Sequence, residues 1–164
     1  MKHDPARTVG RWAGMLLVLC GLFPGGVMAF SARAVVFSAV EGVITLDGQP
    51  VVGAEVIRRY EHRGLQVATV ISDHAGGFAF PEVRRWHAAV FLPMEFVIPQ
   101  QLEVRYQGKH WSIWSGTKRS PKANSELNGL PLRLACELTD DEQVYRQFGA
   151  ILVTRCASVR RLLE

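Results

Sequence analysis

Turn-forming residues recur at short intervals after residue 40, and this spacing constrains the fold more than any other feature of the sequence. The turns are Asp47-Gly48, His62-Arg63-Gly64, Asp73-His74-Ala75-Gly76-Gly77 and Gln107-Gly108-Lys109. Between them lie short runs rich in Val, Ile, Thr and aromatic residues, which favour strands. Short strands separated by turns at this spacing predict a mostly β protein, built as a small antiparallel β-sandwich.

Seven strands are predicted from these runs. Their expected bounds are 40–46, 54–60, 66–72, 77–80, 101–106, 110–115 and 131–138. In the last of them, three leucines and Cys136 alternate with polar or small residues. Successive side chains of a strand point to opposite faces, so Cys136 is expected in the core with the leucines.

Residues 139–164 are predicted to form a C-terminal helical extension. Thr139 can cap the start of the helix, and Glu142 stands where a capping box places an acidic residue. Three further residues then recur every four positions: Phe148, Leu152 and Cys156. They would share one helical face, turned towards the sheet. A glycine and a β-branched run leave open that the second half breaks or forms a strand.

Residues 1–29 are predicted to be a secretory signal peptide. A basic start precedes an apolar run from Trp12 to Phe23, and small residues follow up to Ala29. The run has 12 residues, against the roughly 20 needed to span a bilayer. Cleavage is expected after Ala29, and cleavage as late as Ala34 fits nearly as well. The sequence therefore predicts a periplasmic protein, with an N-terminally anchored protein as the alternative.

The three cysteines fit an exported chain. Cys20 lies in the signal peptide and allows a lipoprotein as an alternative. This alternative is the weaker one, because Leu19 stands where a small residue is expected. Cys136 and Cys156 remain after cleavage. An even pair in an oxidising compartment predicts a disulfide that staples the C-terminal extension to the preceding strand. Two buried free thiols are the alternative.

The net charge argues against a nucleic-acid partner. The whole chain carries a charge of +4, from 19 Lys and Arg against 15 Asp and Glu. Removal of residues 1–29 takes away Lys2, Arg7, Arg11 and Asp4, which leaves 135 residues with a charge of +2. Much of the basicity thus belongs to the export signal, and no basic run with interleaved aromatic residues accompanies it.

Two stretches carry a resemblance to a known family. The stretch from Val40 to Val56 reads VEGVITLDGQPVVGAEV, and the stretch from Thr69 to Phe80 reads TVISDHAGGFAF. Together they resemble the carboxypeptidase regulatory-like domain, with its G-x-V strand, its P-V-x-G-A-x-V segment and its T-D-x-x-G-x-F-x-F motif. Asp73 fits this motif, and Ser72 stands where Thr is common. The resemblance implies a transthyretin-type, prealbumin-like or immunoglobulin-like sandwich over residues 38–138, in an uncharacterised bacterial subgroup.

Asp73 and His74 raise the question of an active site. Adjacent side chains diverge in an extended chain, whereas a base and its orienting group must converge within hydrogen-bond reach. The Asp73 carboxylate is better placed to accept backbone N–H groups of the turn, and Gly76 or Gly77 can supply a positive φ. These three residues, Asp73, Gly76 and Gly77, are therefore predicted to have a structural role.

No catalytic, metal or cofactor site is predicted. The histidines outside the signal peptide are His62, His74, His87 and His110, and none has the spacing of a metal-binding motif. Transthyretin-like hydrolases share the fold that the resemblance implies, and they end in a Tyr-Arg-Gly-Ser motif. This chain ends differently, in the residues from Val159 to Glu164. The sequence therefore favours a protein that is not an enzyme.

Aromatic and basic residues near position 115 form a candidate contact surface. Trp111 and Trp114 are an odd number of positions apart, so one is expected in the core and the other exposed. An exposed Trp beside Lys118 and Arg119 would suit a protein interface. Burial of both tryptophans, or their cover by the loop 116–129, is the alternative.

The sequence as a whole favours a non-enzymatic periplasmic module that binds an envelope or secreted protein or stiffens an envelope assembly. One specific form is an immunity or accessory protein for an exported toxin, such as a type VI secretion effector. A small hydrolase or a carbohydrate-binding domain is the competing class. Residues 84–100 are expected to be an irregular crossover. The sequence leaves open whether residues 84–100 and 116–129 form a binding surface.

Overall fold

The computed structural model describes residues 33–161, and this part of the chain is mostly β, as predicted. Its strands are β1 (Arg33–Phe37), β2 (Val40–Leu46), β3 (Gln49–Pro50), β4 (Glu55–Glu61), β5 (Leu65–Ile71), β6 (Gly77–Phe80), β7 (Val83–Trp86), β8 (Ile98–Tyr106), β9 (Lys109–Lys118), β10 (Leu132–Glu137), β11 (Gln143–Tyr145) and β12 (Leu152–Thr154). One helix, α1 (Ala157–Arg161), follows. Single turns of 3-10 helix lie at Ala88–Val90 and Ser125–Leu127.

These strands form two large sheets and one small one. The first large sheet has the order β10-β2-β3, with β6 also paired to β2, and the second has the order β11-β12-β9-β8-β4-β5. The third sheet consists of β1 and β7. The signal-peptide prediction concerns residues that lie outside the described part of the chain.

All seven predicted strands are present, but the total of seven is wrong because the described chain has twelve. The additional strands are β1, β3, β7, β11 and β12. The arrangement is also not purely antiparallel, since β10 runs parallel to β2 from Leu132 opposite Val40 to Glu137 opposite Thr45. Part of the expected irregular crossover forms β7, which pairs with β1.

Residues of both large sheets lie in one hydrophobic core. Ile44 and Leu134 come from the sheet around β2, whereas Val56, Leu102 and Trp114 come from the six-stranded sheet, and all five are buried. Apolar side chains on the inner faces of two sheets are removed from water together, which is the main stabilising contribution in a fold of this kind.

The helix predicted from Thr139 does not form. The backbone N–H and the hydroxyl of Thr139 both donate to the Glu137 carboxylate, so Thr139 caps no helix. Gly149 has a φ of +74°, which an α-helix does not allow. The β-branched run then forms β12, which pairs with β9 through Val153 and Thr154. Only the short α1 is helical.

The predicted disulfide is confirmed. Cys136 at the end of β10 is bonded to Cys156, which follows β12, and both residues are buried. The bridge connects the sheet around β2 to the C-terminal end of the six-stranded sheet. The Ser158 hydroxyl accepts a hydrogen bond from the Ala135 backbone N–H, which fixes α1 to the same strand.

The hairpin between β2 and β3 turns at Asp47-Gly48, as the sequence predicts. Both residues have a positive φ, of 52° and 75°, which is the conformation of a tight hairpin turn. The Glu137 carboxylate accepts their two backbone N–H groups at 2.9 and 3.0 Å. The end of β10 is thereby joined to a turn that is 90 residues earlier in the chain.

Glu137 should make stability depend on pH. Burial raises its pKa, but hydrogen bonds from Gly48, Thr45 and Thr139 outweigh burial and lower the pKa from 4.5 to about 2. The folded state therefore favours the ionised carboxyl, and the resulting stability is complete above about pH 4.5 and lost as the pH falls towards 2. Glu137→Gln should weaken this pH dependence in urea unfolding measured across the interval.

Glu55→Gln is the matched control, because Glu55 is exposed and its carboxylate accepts no hydrogen bond from a described residue. It should leave the pH dependence as it is in the wild type. An unchanged pH dependence in Glu137→Gln would contradict the role of Glu137.

Candidate interaction surface

The Asp73 turn has a structural geometry. The Asp73 carboxylate accepts the backbone N–H groups of Ala75 and Gly77, both at 2.8 Å. These bonds lower the pKa of Asp73. Gly76 has a φ of +73°, and a side chain at Gly77 would collide with the Asp73 carboxylate. This is the role predicted for the three residues, and exposed His74 makes no part of it.

Ser72 has a role that sequence reasoning missed. Its buried hydroxyl donates to the Val51 carbonyl at 2.7 Å and accepts the Ala54 N–H at 2.9 Å. The hydroxyl therefore closes the junction between β3 and β4. It is fully used in structural bonds, so it is not a free nucleophile.

The two tryptophans of the predicted contact surface do not face opposite ways. Leu102 lies opposite Trp114, and Val104 lies opposite Trp111, so three steps along β9 match two steps along β8. The extra residue is a β-bulge at Ile113, which resets the alternation. Both tryptophans therefore turn to the core side: Trp114 is 1 % exposed, and half-buried Trp111 packs against the core.

Lys118 is not part of an exposed surface either. Its ammonium is buried and donates to the Glu126 carboxylate at 2.6 Å, the Ser125 hydroxyl at 2.7 Å and the Lys122 carbonyl at 2.8 Å. Only Arg119 of the predicted set is exposed, and it pairs with Glu95. Trp114 and Lys118 are therefore wrong as members of an exposed interface, whereas Arg119 is exposed and Trp111 is half-buried.

The Glu126 carboxylate is the centre of this buried polar cluster. It also accepts the backbone N–H and the hydroxyl of Ser38, at 3.1 and 2.7 Å, and the side-chain amide of Gln100 at 3.1 Å. Burial lowers the pKa of Lys118, and the Glu126 charge opposes this change. Burial raises the pKa of Glu126, but Lys118 and the hydrogen bonds outweigh it and hold the pKa below its ordinary value.

Two concavities adjoin this cluster. A partly open space of about 10 Å³ is lined by Gln100, Trp114 and Glu126 among others. It can hold about one water molecule and is too small for a substrate. An open basin of about 390 Å³ lies along the loop after β9. Its lining includes Arg119, Ser120, Lys122, Ser125, Asn128 and Phe148.

Two of the described histidines lie close to each other. The rings of His62 and His87 lie 5.8 Å apart. Burial lowers the pKa of His62, and the positive charges nearby act in the same direction. Among residues 33–161, no group of three His, Cys, Asp or Glu side chains is arranged to hold a metal ion.

The clearest accessible surface is the outer edge of β5. This strand is the last of the six-stranded sheet, and no described strand pairs with its other side. Its sequence, LQVATVI, contains no charged residue and no proline. Every second side chain is exposed, in the row Leu65, Val67, Thr69 and Ile71. Natural edge strands are usually protected by charges, prolines or bulges, and β5 has none of these in its sequence or its register.

The free edge of β5 presents backbone groups as well. The Ser72 N–H donates to the Ala54 carbonyl at 2.9 Å. In an antiparallel ladder, residue pairs that exchange backbone hydrogen bonds alternate with pairs that do not. Even-numbered residues of β5 therefore bond to β4. The odd-numbered residues direct their N–H and C=O groups to the free edge, and these are the same residues whose side chains form the exposed row.

A second exposed surface lies around Trp86, in the segment expected to be an irregular crossover. Trp86 ends β7 and is 51 % exposed, and Phe91, Leu92 and Met94 of the following loop are exposed as well. No periodicity in the sequence indicates this surface; the local signal is a nine-residue run without a formal charge, from Trp86 to Met94. No helix of the described residues is long and apolar enough to cross a membrane.

Most of the described fold, including these two surfaces, lies in the part of the chain that a family model matches. The chain belongs to the family described as "Domain of unknown function (DUF6795)", whose model matches residues 40–141. No curated protein and no solved structure matches the chain. The β5 edge and the Trp86 surface both fall inside the matched range, whereas Cys156 lies beyond it.

Proposed function

We propose that this chain is a non-enzymatic module of the bacterial cell envelope, which binds a protein partner by adding a strand of that partner to the free edge of β5. The observation that carries the proposal is the β5 edge itself: unpaired backbone groups and an exposed aliphatic row lie on the same residues. In strand addition, main-chain hydrogen bonds supply affinity and alternate side chains supply specificity.

The chemistry of the polar residues supports a binding role over catalysis. The Asp73 carboxylate is engaged by two backbone N–H groups, and the Ser72 hydroxyl is engaged by two backbone groups. Lys118 and Glu126 neutralise each other inside the fold. Groups that hold the structure in this way are not poised for proton transfer to a substrate.

The N-terminal sequence supports export to the periplasm. Residues 1–29 have the pattern of a signal peptide. β1 begins at Arg33 and buries Ala34 completely. Cleavage after Ala34 would remove the first two residues of β1, whereas cleavage after Ala29 leaves the strand whole. We therefore favour Ala29 as the cleavage site.

The likeness to the carboxypeptidase regulatory-like domain remains part of this proposal. The stretches that carry it correspond to β2, β3, the start of β4, the end of β5, and β6. Their shared core with the six-stranded sheet supports a sandwich of the transthyretin type. The proposed binding role depends on the β5 edge, because a fold of this kind does not by itself determine a function.

The β5 proposal predicts that Val67→Lys weakens partner binding. A charge in the exposed row would be desolvated when a strand is added, so capture of the partner from an envelope extract should fall at least about tenfold. Val144→Lys is the matched control. Val144 lies on β11, the opposite edge strand of the same sheet. Its side chain is as exposed as that of Val67, at 56 % against 55 %.

Amide exchange tests the mode of binding. The N–H groups of Val67 and Thr69 should become protected when the captured partner is added back to the pure protein, because those groups face the free edge. Equal capture by Val67→Lys and Val144→Lys, or unchanged exchange at Val67 and Thr69, would refute strand addition at β5.

A further inference from the structure

An apolar loop projects from the fold after β7. Five large apolar residues in it are each at least 37 % exposed: Val90, Phe91, Leu92, Met94 and Val97. Its base is fixed, because the His87 ring accepts the Ala89 N–H at 3.1 Å and its centre lies 4.7 Å from that of buried Phe96, with the two rings tilted. Consecutive exposed apolar residues on an ordered base carry a cost in water, and such a surface marks an interaction site.

A basic rim surrounds the root of this loop. The Arg63 guanidinium lies over the Trp86 ring, 5.3 Å from its centre. Arg33 is the register partner of Trp86 across β1 and β7. Arg85 comes directly before Trp86, so its side chain points to the other face of β7, where its charge acts on His62. No carboxylate of the described residues lies within ion-pair distance of Arg33, Arg63 or Arg85.

Two acidic residues near this surface are neutralised by ion pairs. Glu82 pairs with Arg84, and Glu95 pairs with Arg119. The surface therefore combines an uncharged apolar tip, an exposed tryptophan and a cationic rim. That combination fits the boundary between lipid headgroups and acyl chains, where apolar and aromatic side chains enter and Arg contacts phosphate.

We propose that this face is a peripheral docking site for an anionic lipid bilayer. Phe91, Leu92 and Met94 enter the headgroup region, and Trp86 lies at its border. Arg33 and Arg63 contact lipid phosphates. The site is separate from the exposed row of β5 and does not depend on the function proposed for that edge, so the two can fail independently.

The experiment places an environment-sensitive fluorophore on the full chain. Cys20→Ser removes the cysteine of the N-terminal segment, and Cys136 and Cys156 are occupied by their disulfide. Bimane is attached at Leu92→Cys or, as the control, at Val144→Cys. The two native residues are equally exposed, at 57 % and 56 %. Vesicles contain phosphatidylethanolamine with phosphatidylglycerol as the minor component, or phosphatidylcholine alone.

The bimane at position 92 should shift to the blue and be quenched by nitroxide-labelled lipid on the anionic vesicles, whereas the bimane at position 144 should keep its aqueous emission. This readout reports contact at the labelled residue, so it is informative even if the N-terminal segment holds the chain on the vesicle. Val67→Lys should leave both signals unchanged.

The basic rim is tested with Arg33→Gln and Arg63→Gln combined, labelled at position 92. Two lost cations should lower the fraction of lipid-contacting label on anionic vesicles about tenfold. The matched double variant Arg105→Gln with Lys109→Gln also removes two exposed cations, and it should lower that fraction less than twofold.

Three results would overturn the proposal. The first is an aqueous emission from position 92 on a vesicle-bound chain. The second is an equal shift at positions 92 and 144, which would indicate adsorption without orientation. The third is protection of position 92 only when envelope proteins are added, which would assign the face to an acidic protein partner.

Discussion

Replacing Lys118 with methionine should lower the free energy of unfolding by about 3–5 kcal/mol, because it leaves the Glu126 carboxylate buried without its cation. The two side chains are 0 % and 3 % exposed, so water cannot replace the lost partner. Urea unfolding at neutral pH measures the loss. Arg119→Met is the control: Arg119 is the next residue, and its ion pair with Glu95 is exposed, so the change should cost at most about 1 kcal/mol.

A double variant separates the burial of an unpaired charge from the loss of the pair itself. Lys118→Met with Glu126→Leu removes both charges, and apolar replacements of a buried pair are often neutral. The Ser38 N–H then loses its acceptor, and this costs about 1–3 kcal/mol. The double variant should therefore be more stable than Lys118→Met alone. Equal stability of Lys118→Met and the wild type would contradict the role of the pair.

The buried pair shows why the sequence did not reveal this cluster. Lys118 ends a strand and is followed by Arg119 and a polar loop, which is the ordinary setting of a solvated lysine. The members of the cluster come from the connection between β1 and β2, from β8, from the end of β9 and from the loop before β10, and Ser38 and Glu126 are 88 residues apart in the chain. Periodicity reports which face of an element is buried, but it does not report which distant polar groups meet there.

The strands were predictable because their signals are local. β2 and β6 begin and end where the turn residues predict, and the Asp73 turn follows from a carboxylate placed before two glycines. The β-bulge at Ile113 was not predictable in this way. It depends on the register between β8 and β9, and one extra residue placed Trp111 and Trp114 on the same side, where opposite sides were expected.

The C-terminal segment shows a competition between two patterns. Phe148, Leu152 and Cys156 have helical spacing, and all three are buried as predicted. Their burial is achieved instead by β12, whose Thr154 hydroxyl donates to the Ile113 carbonyl at 2.6 Å. An available strand edge on β9 and a β-branched run outweighed the four-residue spacing.

The second large effect on stability is expected from loss of the disulfide, which lies in the same segment. Removing the bridge with Cys136→Ala and Cys156→Ala should lower the free energy of unfolding by about 3 kcal/mol, since it closes a loop with a sequence separation of 20. For a domain of this size the expected decrease in Tm is roughly 10 °C. Thermal unfolding of the wild type with and without reductant should show the same difference, and Cys20→Ala should show none.

Without the disulfide, local unfolding should begin at the C-terminal end of the fold. β12 is paired with β9 through only two register positions, and the bridge joins the residue two positions after β12 to β10. Without that link, the amides of Val153 and Thr154 should exchange faster than those of β4 and β8, which are paired on both sides. Identical melting in both redox states, or uniform exchange across the sheet, would mean that packing of Phe148 and Leu152 alone holds the segment in place.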